Sequence, residues 1–352
     1  MSEIAICAFA QLPSVRQAPD REEAELVQPV VQDVLGQVGL SIQDMGFVCS
    51  GSSDYLVGRP FSFVAALDGV GPWPPISESH VEMDAAWAFY EAWVRLHHGD
   101  IDTALVYGFG KSSLGDIREI AVQQLDPYYL APLGLDSISI AALQAQMLLD
   151  QGLCSREEMA HVAINNRRNA MENPFAQLKG DFSLDSILSE SMIVSPLTKH
   201  DCAPISDGSA AIVMATAEKA RAICDHPVWI KGMDHRIEAH SPGCRDLTKS
   251  NSTSMAAIKA GLADSPIDLA EVHAPFTHQE IILKRALSLD ATVAMNPSGG
   301  ALAANPIMAT GLIRIGEAAQ RLAKGAGRRA LAHATSGPCL QQNLVALLEV
   351  DA

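Results

Sequence analysis

The sequence predicts an α/β fold built from two similar halves, each a parallel-rich sheet with helices packed on its faces. Short apolar runs typical of buried strands alternate with longer segments whose apolar residues recur at helical spacing. The order of these elements in the first part of the chain is repeated in its last third. Duplicated β-α-β units of this kind bind ligands beyond the strand ends, near helix N-termini.

The composition excludes several classes of protein. The 352 residues are 48% hydrophobic, enough for a large core, and carry a net charge of −16. Nucleic acid and anionic membranes are not expected as main partners, because both require clustered Lys and Arg. The seven cysteines lack CxxC pairs and zinc spacing, which predicts reduced thiols in a cytoplasmic protein and no metal site. Residues 1–13 are apolar without a basic leader and favour a strand over a signal peptide.

In the first half, strands are predicted over residues 4–8, 46–49 and 103–108, and helices over residues 22–38 and 85–97. Gly39 is expected to end the first helix, because glycine accepts the left-handed conformation beyond a helix C-terminus. Asp84 is expected to cap the second helix, since a carboxylate accepts hydrogen bonds from the free N–H groups of the first turn.

In the second half, strands are predicted over residues 228–231, 269–272 and 330–334, and helices over residues 252–260 and 307–323. The loop over residues 296–306 combines two Asn-Pro turns with a glycine pair and leads into the last of these helices. Ser298, Gly299 and Gly300 are predicted to present backbone N–H groups, beside the positive helix end, to an anionic or polarised group of a ligand. The alternative is an ordinary loop and helix cap.

These elements divide the chain into an N-terminal half, residues 1–222, and a C-terminal half, residues 223–352. An insertion over about residues 111–197 interrupts the first half, with helices predicted over residues 137–151 and 156–170. The insertion is predicted to cover the site. A helical elaboration with solvated basic residues is an equally good interpretation.

Three motifs resemble those of the thiolase superfamily, particularly its sterol-carrier-protein and lipid-transfer-protein branch. The first is Asn296-Pro297-Ser298-Gly299-Gly300, which is similar to the family's loop before its Gly-His-Pro motif. The others are Glu271-Val272-His273-Ala274-Pro275-Phe276, similar to that branch's Glu-Leu-His-Asp-Cys-Phe motif, and Ser206-Asp207-Gly208-Ser209-Ala210-Ala211, similar to its Ser-Asp-Gly-Ala-Ala strand entry. The resemblance spans essentially the whole chain. It implies the thiolase fold, with duplicated βαβαββ halves in five αβαβα layers and a helical loop-domain insertion.

The resemblance also identifies catalytic groups that this chain lacks. The family's nucleophilic cysteine falls on Ala85, which cannot form an acyl-enzyme. The histidine of the Gly-His-Pro motif falls on Asn305. The family's second cysteine falls near Gly337, and Cys339 follows shortly after it.

His273 lies where the resemblance implies a donor to the thioester oxygen. His273 and Asn305 both donate hydrogen bonds and could stabilise an enolate or oxyanion as a pair. Such stabilisation without a nucleophile suits aldol chemistry on an acyl-CoA, as in the thiolase-like lipid-transfer-protein aldolases of steroid side-chain degradation. Tyrosines in the C-terminal half act in those aldolases, whereas all five tyrosines here precede residue 130. The acid/base candidates are therefore His273, His278 and Cys339, although His273 also fits a satisfied histidine and Cys339 a small buried residue.

Three functional hypotheses follow from the resemblance. The first is retro-aldol cleavage of an acyl-CoA in lipid or steroid side-chain degradation. The second is a non-catalytic subunit that binds acyl-CoA or supports an active thiolase-like partner. The third is an acetyl-CoA acyltransferase, a true thiolase.

The resemblance further implies a homodimer, or a heterodimer with a related chain, and a small OB-fold and zinc-ribbon partner that would carry any zinc. Coenzyme A enters as the thioester substrate, with no covalently bound cofactor. Arg167, Arg168 and Lys179 of the insertion are the predicted contacts to its phosphates.

Overall fold

The computed structural model describes residues 3–58 and 60–351, so the outermost residues of the two predicted halves and Arg59 lie outside it. The strands are β1 (Ile4–Gln11), β2 (Phe47–Gly51), β3 (Glu78–Val81), β4 (Thr103–Lys111), β5 (Met192–Val194), β6 (Leu197–Thr198), β7 (Asp207–Thr216), β8 (Val228–Ile237), β9 (Leu269–Val272), β10 (Ala294–Met295), β11 (Arg329–Ser336) and β12 (Gln342–Glu349). The helices are α1 (Glu23–Gln37), α2 (Asp54–Val57), α3 (Ser62–Leu67), α4 (Ala85–His98), α5 (Ile117–Gln123), α6 (Ser137–Asp150), α7 (Arg156–Asn169), α8 (Leu184–Leu188), α9 (Ala217–Ile223), α10 (Asn251–Ala260), α11 (Thr277–Ala286), α12 (Gly300–Ala303) and α13 (Thr310–Ala323).

The two halves have the same strand order. The first runs β3-β2-β4-β7-β1 and the second β10-β9-β11-β12-β8. In each, the first three strands are parallel and the last two pair antiparallel. The halves join where β1 pairs with β8 over two residues, so the ten strands form one hydrogen-bonded series. The predicted duplication is confirmed.

Side-chain alternation along the strands creates five layers. Leu105 of β4 packs with α1 on one face of the first half, whereas Val106 packs with α4 and α13 on the other. In the second half, Leu347 packs with α10 and α11, and Leu348 faces the same central helices. The pair α4 and α13 therefore lies between the two halves, flanked by sheet and then by outer helices. This is the predicted αβαβα arrangement.

The insertion makes one connection in the first half much longer than its counterpart in the second half. Residues 112–206, with α5 to α8 and the β5–β6 hairpin, connect β4 to β7, whereas only residues 337–341 connect the equivalent β11 and β12. The predicted helices are confirmed as α6 and α7. Asp136 caps α6 by accepting a hydrogen bond from Ser139 N at 2.7 Å, and Ser155 caps α7 by accepting from Glu158 N at 3.1 Å.

One prediction of local structure needs correction. The last long helix begins at Thr310 rather than residue 307, because Ala309 N donates to Pro306 O in a turn and Met308 has a positive φ of 81°. Strand β12 was not predicted. Among the described residues no helix is both long and apolar enough to cross a membrane.

Candidate functional site

A cavity of about 440 Å³ opens where the insertion meets the C-terminal half. Most of its wall is apolar, from α5, α6 and the loops after β9 and β11. Its polar and ionisable lining comprises Ser53, Glu82, Asp84, Arg118, Gln124, Ser137, Cys202, His273, Gln279, Asn305, Thr335, Ser336 and Cys339. Three of the predicted site residues, His273, Asn305 and Cys339, are thus brought to one cavity.

His273 follows directly after β9, at the carboxyl end of a parallel strand. Its Nδ1 accepts a hydrogen bond from the backbone N–H of Thr335 at 3.4 Å, so the ring proton resides on Nε2. Burial, together with the charges of His333 and Arg314, lowers the pKa of His273 to about 3, and the nearby Asn305 side chain opposes the shift. The imidazole is therefore neutral and can offer an Nε2–H donor to the cavity.

Asn305 is held between α12 and α13 by hydrogen bonds to two side chains. Its backbone N–H donates to Ser206 Oγ at 3.0 Å, and its Oδ1 accepts from Thr310 Oγ1 at 3.0 Å. With Oδ1 engaged, the Nδ2 amide group is the side-chain donor. Ser206 belongs to the strand-entry motif noted in the sequence, and its role is to position this loop.

Ala85 is the first residue of α4 and is fully buried, while its neighbours Met83 and Asp84 line the cavity. The Ala85 N–H donates to Met308 O at 2.8 Å, so this helix end offers no free donor there. Its methyl group lies against Gly108, where an added Cβ would stand 2.4 Å away. Asp84 caps α4 as predicted, accepting from Ala86 N at 2.9 Å.

The loop around Ser298 binds the side-chain carboxylate of Glu271, a residue of the same chain. Ser298 N donates to Glu271 Oε1 at 2.8 Å and its hydroxyl donates to Glu271 Oε2 at 2.7 Å. Glu271 is fully buried and pairs with Arg314 at 2.7 Å. An added Cβ at Gly299 would stand 2.6 Å from Cβ of Ala170, just after α7, and one at Gly300 would stand 2.6 Å from Oδ1 of Asn166 in α7. These glycines therefore serve close packing, and their contact with a ligand stays a prediction.

Cys339 lies in the β11–β12 connection with a positive φ of 54°. Its buried Sγ lies 3.7 Å from Ile140 O, and burial raises the pKa of the thiol to about 12. Arg245 donates to the carbonyls of Cys339 and Pro338 and fixes the loop. Cys339 is therefore a protonated thiol, which makes a poor nucleophile.

His278 does not line the cavity. It is fully buried on α11, with Nε2 3.1 Å from Gln144 Oε1, and burial lowers its pKa to about 3. The acid/base role considered for it has no geometric support.

The three predicted phosphate contacts lie on or after α7, outside the described cavity lining. Arg167 is buried and its guanidinium donates to Leu302 O, so it holds α12 against α7. Arg168 is exposed and paired with Asp181 at 2.9 Å, and Lys179 is exposed. Their role toward coenzyme A stays a prediction. Arg118 is the cation among the described lining residues, paired with Asp136, and sequence reasoning missed it.

Two neutral side chains that can donate hydrogen bonds, His273 and Asn305, thus line one largely apolar cavity. Such donors are strengthened where water is excluded. Ala85, which follows the lining residue Asp84 in sequence, is fully buried and carries only a methyl group.

No protein-family model matches the chain. Its sequence is 31% identical over 237 residues to an acetyl-CoA acetyltransferase of Methanothermobacter thermautotrophicus, which covers 60% of this chain and 61% of that one. It is 24% identical over 351 residues to sterol carrier protein 2 of Bos taurus, covering 88% of this chain and 64% of that one. Both alignments span less than two thirds of the relative.

Two solved structures share the fold over nearly the full chain. The Ltp2-ChsH2(DUF35) aldolase has a TM-score of 0.81 at 20% identity, covering 99% of this chain and 98% of that one. Human mitochondrial 3-ketoacyl-CoA thiolase has a TM-score of 0.79 at 17% identity, covering 99% of both. The chain therefore has the thiolase fold, and the resemblance drawn from its motifs is confirmed.

Proposed function

We propose that this thiolase-like chain acts on an acyl-CoA thioester by stabilising an enolate with His273 and Asn305, without a covalent intermediate. The observation that supports this most is the meeting of both donors in one largely apolar cavity, next to an alanine where a nucleophile would stand. The reaction that suits these groups is retro-aldol cleavage of a β-hydroxyacyl-CoA. The likeness in fold to a protein named an aldolase agrees with it.

In this reaction a base takes the proton of the β-hydroxyl group, and the bond between the α and β carbons breaks. Its electrons pass to the thioester carbonyl, whose oxygen becomes the enolate oxygen held by His273 and Asn305. The β fragment leaves as a ketone or aldehyde, and protonation of the α carbon gives the shortened acyl-CoA. Two aligned donors stabilise the enolate by several kcal/mol in a site that excludes water.

The shape and lining of the cavity favour a bulky apolar acyl group. Ile117, Ile120, Ile138 and Phe276 contribute to a wall with few charges. A lipid or steroid side chain fits this chemistry better than a polar acid does.

The test is turnover of synthetic β-hydroxyacyl-CoA thioesters that bear apolar substituents, followed by release of ketone or aldehyde. His273→Ala and Asn305→Ala are each expected to lower kcat by about 100-fold to 1,000-fold. His161→Ala and Asn165→Ala are matched controls, because these residues are exposed on α7 outside the cavity lining, and they should leave kcat unchanged. Equal activity in all four variants would sink the proposal.

A second candidate is a non-catalytic subunit of a heteromeric complex. The absence of a nucleophile at Ala85 and the protonated thiol of Cys339 favour it. The name of the Ltp2-ChsH2(DUF35) aldolase contains two components, so a partner chain, such as an OB-fold and zinc-ribbon protein, should be supplied in the assay. If this candidate is right, His273→Ala and Asn305→Ala leave the rate of the complex unchanged.

The acyltransferase alternative makes a different prediction. It requires an acyl group on a cysteine, and Cys202 and Cys339 are the thiols among the described lining residues, of which Cys339 is the predicted candidate. Incubation with a labelled acyl-CoA should then label the chain, and Cys339→Ser should abolish the label. The lyase proposal expects no label and a Cys339→Ser variant with wild-type turnover.

A further inference from the structure

Asp84 lies where the two central helices begin, and it interacts with both. Its Oδ1 accepts from Ala86 N at 2.9 Å in α4, and its Oδ2 accepts from Gly311 N at 2.9 Å in α13. The side chain is 2% exposed, yet it lines the cavity that contains His273 and Asn305. One carboxylate thus bridges two helix N-termini at the wall of the site.

A helix cap alone does not require this arrangement. Ser, Thr or Asn would cap α4 equally well, and they avoid the cost of a buried carboxylate. Two helix ends together supply backbone N–H groups and partial positive charge that favour an anion at this point. The fold therefore keeps a negative charge beside Ala85, at the position next to the missing nucleophile.

Few other groups in the cavity can accept a proton. Among the described lining residues the carboxylates are Asp84 and Glu82, and Glu82 is half exposed with Oε1 occupied by Asp54 N at 2.7 Å. The Nδ1 of His273 accepts from Thr335, and the Cys339 thiol is already protonated. Asp84 is the buried carboxylate of this lining, and its two oxygens offer about four acceptor sites, so lone pairs remain beside the hydrogen bonds from the helix N–H groups.

We propose that Asp84 is the general base of the retro-aldol reaction, taking the β-hydroxyl proton as the carbon–carbon bond breaks and returning it to the α carbon. This inference rests on the proposed function. The carboxylate gains one proton as the enolate forms, and it loses the same proton when the enolate becomes the acyl-CoA product. No other reactant is needed.

The charged surroundings are consistent with that role. Burial raises the pKa of Asp84, and hydrogen bonds from Gly311, Ala86 and Leu312 and the charge of Arg314 oppose the rise. Glu82 and Arg118 are the other charged groups among the described lining residues, and Arg314 of α13, already paired with Glu271, adds a positive charge. His273 and Cys339, which follow β9 and β11 and line the same cavity, are neutral. A carboxylate in such a setting is a stronger base than a solvated one.

The experiment compares Asp84→Asn with the wild-type chain on a substrate that the wild type cleaves. We expect kcat to fall about 100-fold or more, with KM for the acyl-CoA little changed, and the acid limb of the pH profile of kcat/KM to disappear. Asp116→Asn is the matched control, since Asp116 caps α5 from an exposed position outside the cavity lining and should leave both quantities unchanged.

Each outcome separates the two proposals. An active wild type with an equally active Asp84→Asn variant overturns the base and leaves the retro-aldol function standing. A wild type without turnover, with partner chains supplied, overturns the function and the base with it. If Asp84→Asn does not fold, Asp84→Glu keeps a carboxylate at the helix ends. The acid limb of the pH profile of kcat/KM should shift in the Asp84→Glu variant. An unshifted limb would show that a group other than residue 84 titrates and would overturn the base.

Discussion

The two halves share one strand order but hold their central helices in different ways. Every buried residue of α4 is apolar, from Ala85 to Leu96. Helix α13 buries Arg314 and Glu317 among its apolar residues, and Arg314 reaches Glu271 on β9. The apolar helix is positioned by packing and by the Asp84 cap at its first turn, whereas the other is also tied by an ion pair to Glu271 of β9. The half that carries His273 and Asn305 is therefore the one with a polar network beneath its site.

Removal of the buried pair should give the largest effect and tests whether that network is essential. Arg314→Leu leaves buried Glu271 with only the longer 3.6 Å contact to Arg321, so we expect a loss of about 3 to 5 kcal/mol in the free energy of unfolding, measured with urea. Arg168→Leu is the control, because that arginine is exposed in its pair with Asp181 and should cost about 1 kcal/mol or less.

The double variant Glu271→Leu with Arg314→Leu sharpens the result. It removes both charges, so it should be less destabilised than Arg314→Leu alone. A double variant that is as unstable as the single one would mean that packing, and not charge, holds this helix in both halves.

A second difference concerns the junction between the insertion and the C-terminal half, which has no counterpart in the other half. Glu280 Oε2 accepts from Asn166 Nδ2 at 2.8 Å and from Asn296 Nδ2 at 2.7 Å. Burial raises the pKa of Glu280 from 4.5 to about 7. The folded chain therefore binds a proton that the unfolded chain has released, and stability should fall as pH rises from about 4.5 to 7, by about 3 kcal/mol.

Urea unfolding over that pH range checks the prediction. Glu280→Gln keeps an oxygen acceptor for the two asparagines and does not titrate, so its profile should be flatter than that of the wild type by about the same amount. Parallel profiles for the two proteins would mean that Glu280 is ionised in the folded chain throughout.

Sequence reasoning predicted the scaffold far better than the network within it. Helix and strand periods and the Asp84 cap follow from neighbouring residues, and the family motifs indicated that His273 and Asn305 lie together. The partnership of Glu271 with Arg314 and the burial of Arg167 depend on contacts between distant segments, so local patterns carry no signal for them. Strand β12 was missed because a short continuous apolar run has no periodicity that separates strand from helix.

A smaller effect on the free energy of unfolding is expected where each central helix packs closely against a neighbouring strand. In both halves a glycine allows this close contact, but it lies on the strand in one half and on the helix in the other. In the first half Gly108 is on strand β4 and faces Ala85 of α4, whereas in the second half Gly311 is on helix α13 and faces Ala334 of β11. An added Cβ would stand 2.4 Å from Ala85 Cβ in one case, and 2.6 Å from Ala334 Cβ and 2.5 Å from Asp84 Oδ1 in the other. Gly108→Ala and Gly311→Ala should each cost about 1 to 3 kcal/mol of unfolding free energy, with Gly311→Ala the costlier because its methyl group also meets the buried Asp84 carboxylate. Adding Ala85→Gly to Gly108→Ala, or Ala334→Gly to Gly311→Ala, moves the glycine to the other partner and should restore part of the loss, with the smaller recovery for Gly311→Ala. Failure of both exchanges in urea unfolding would mean that the two crossings are not equivalent.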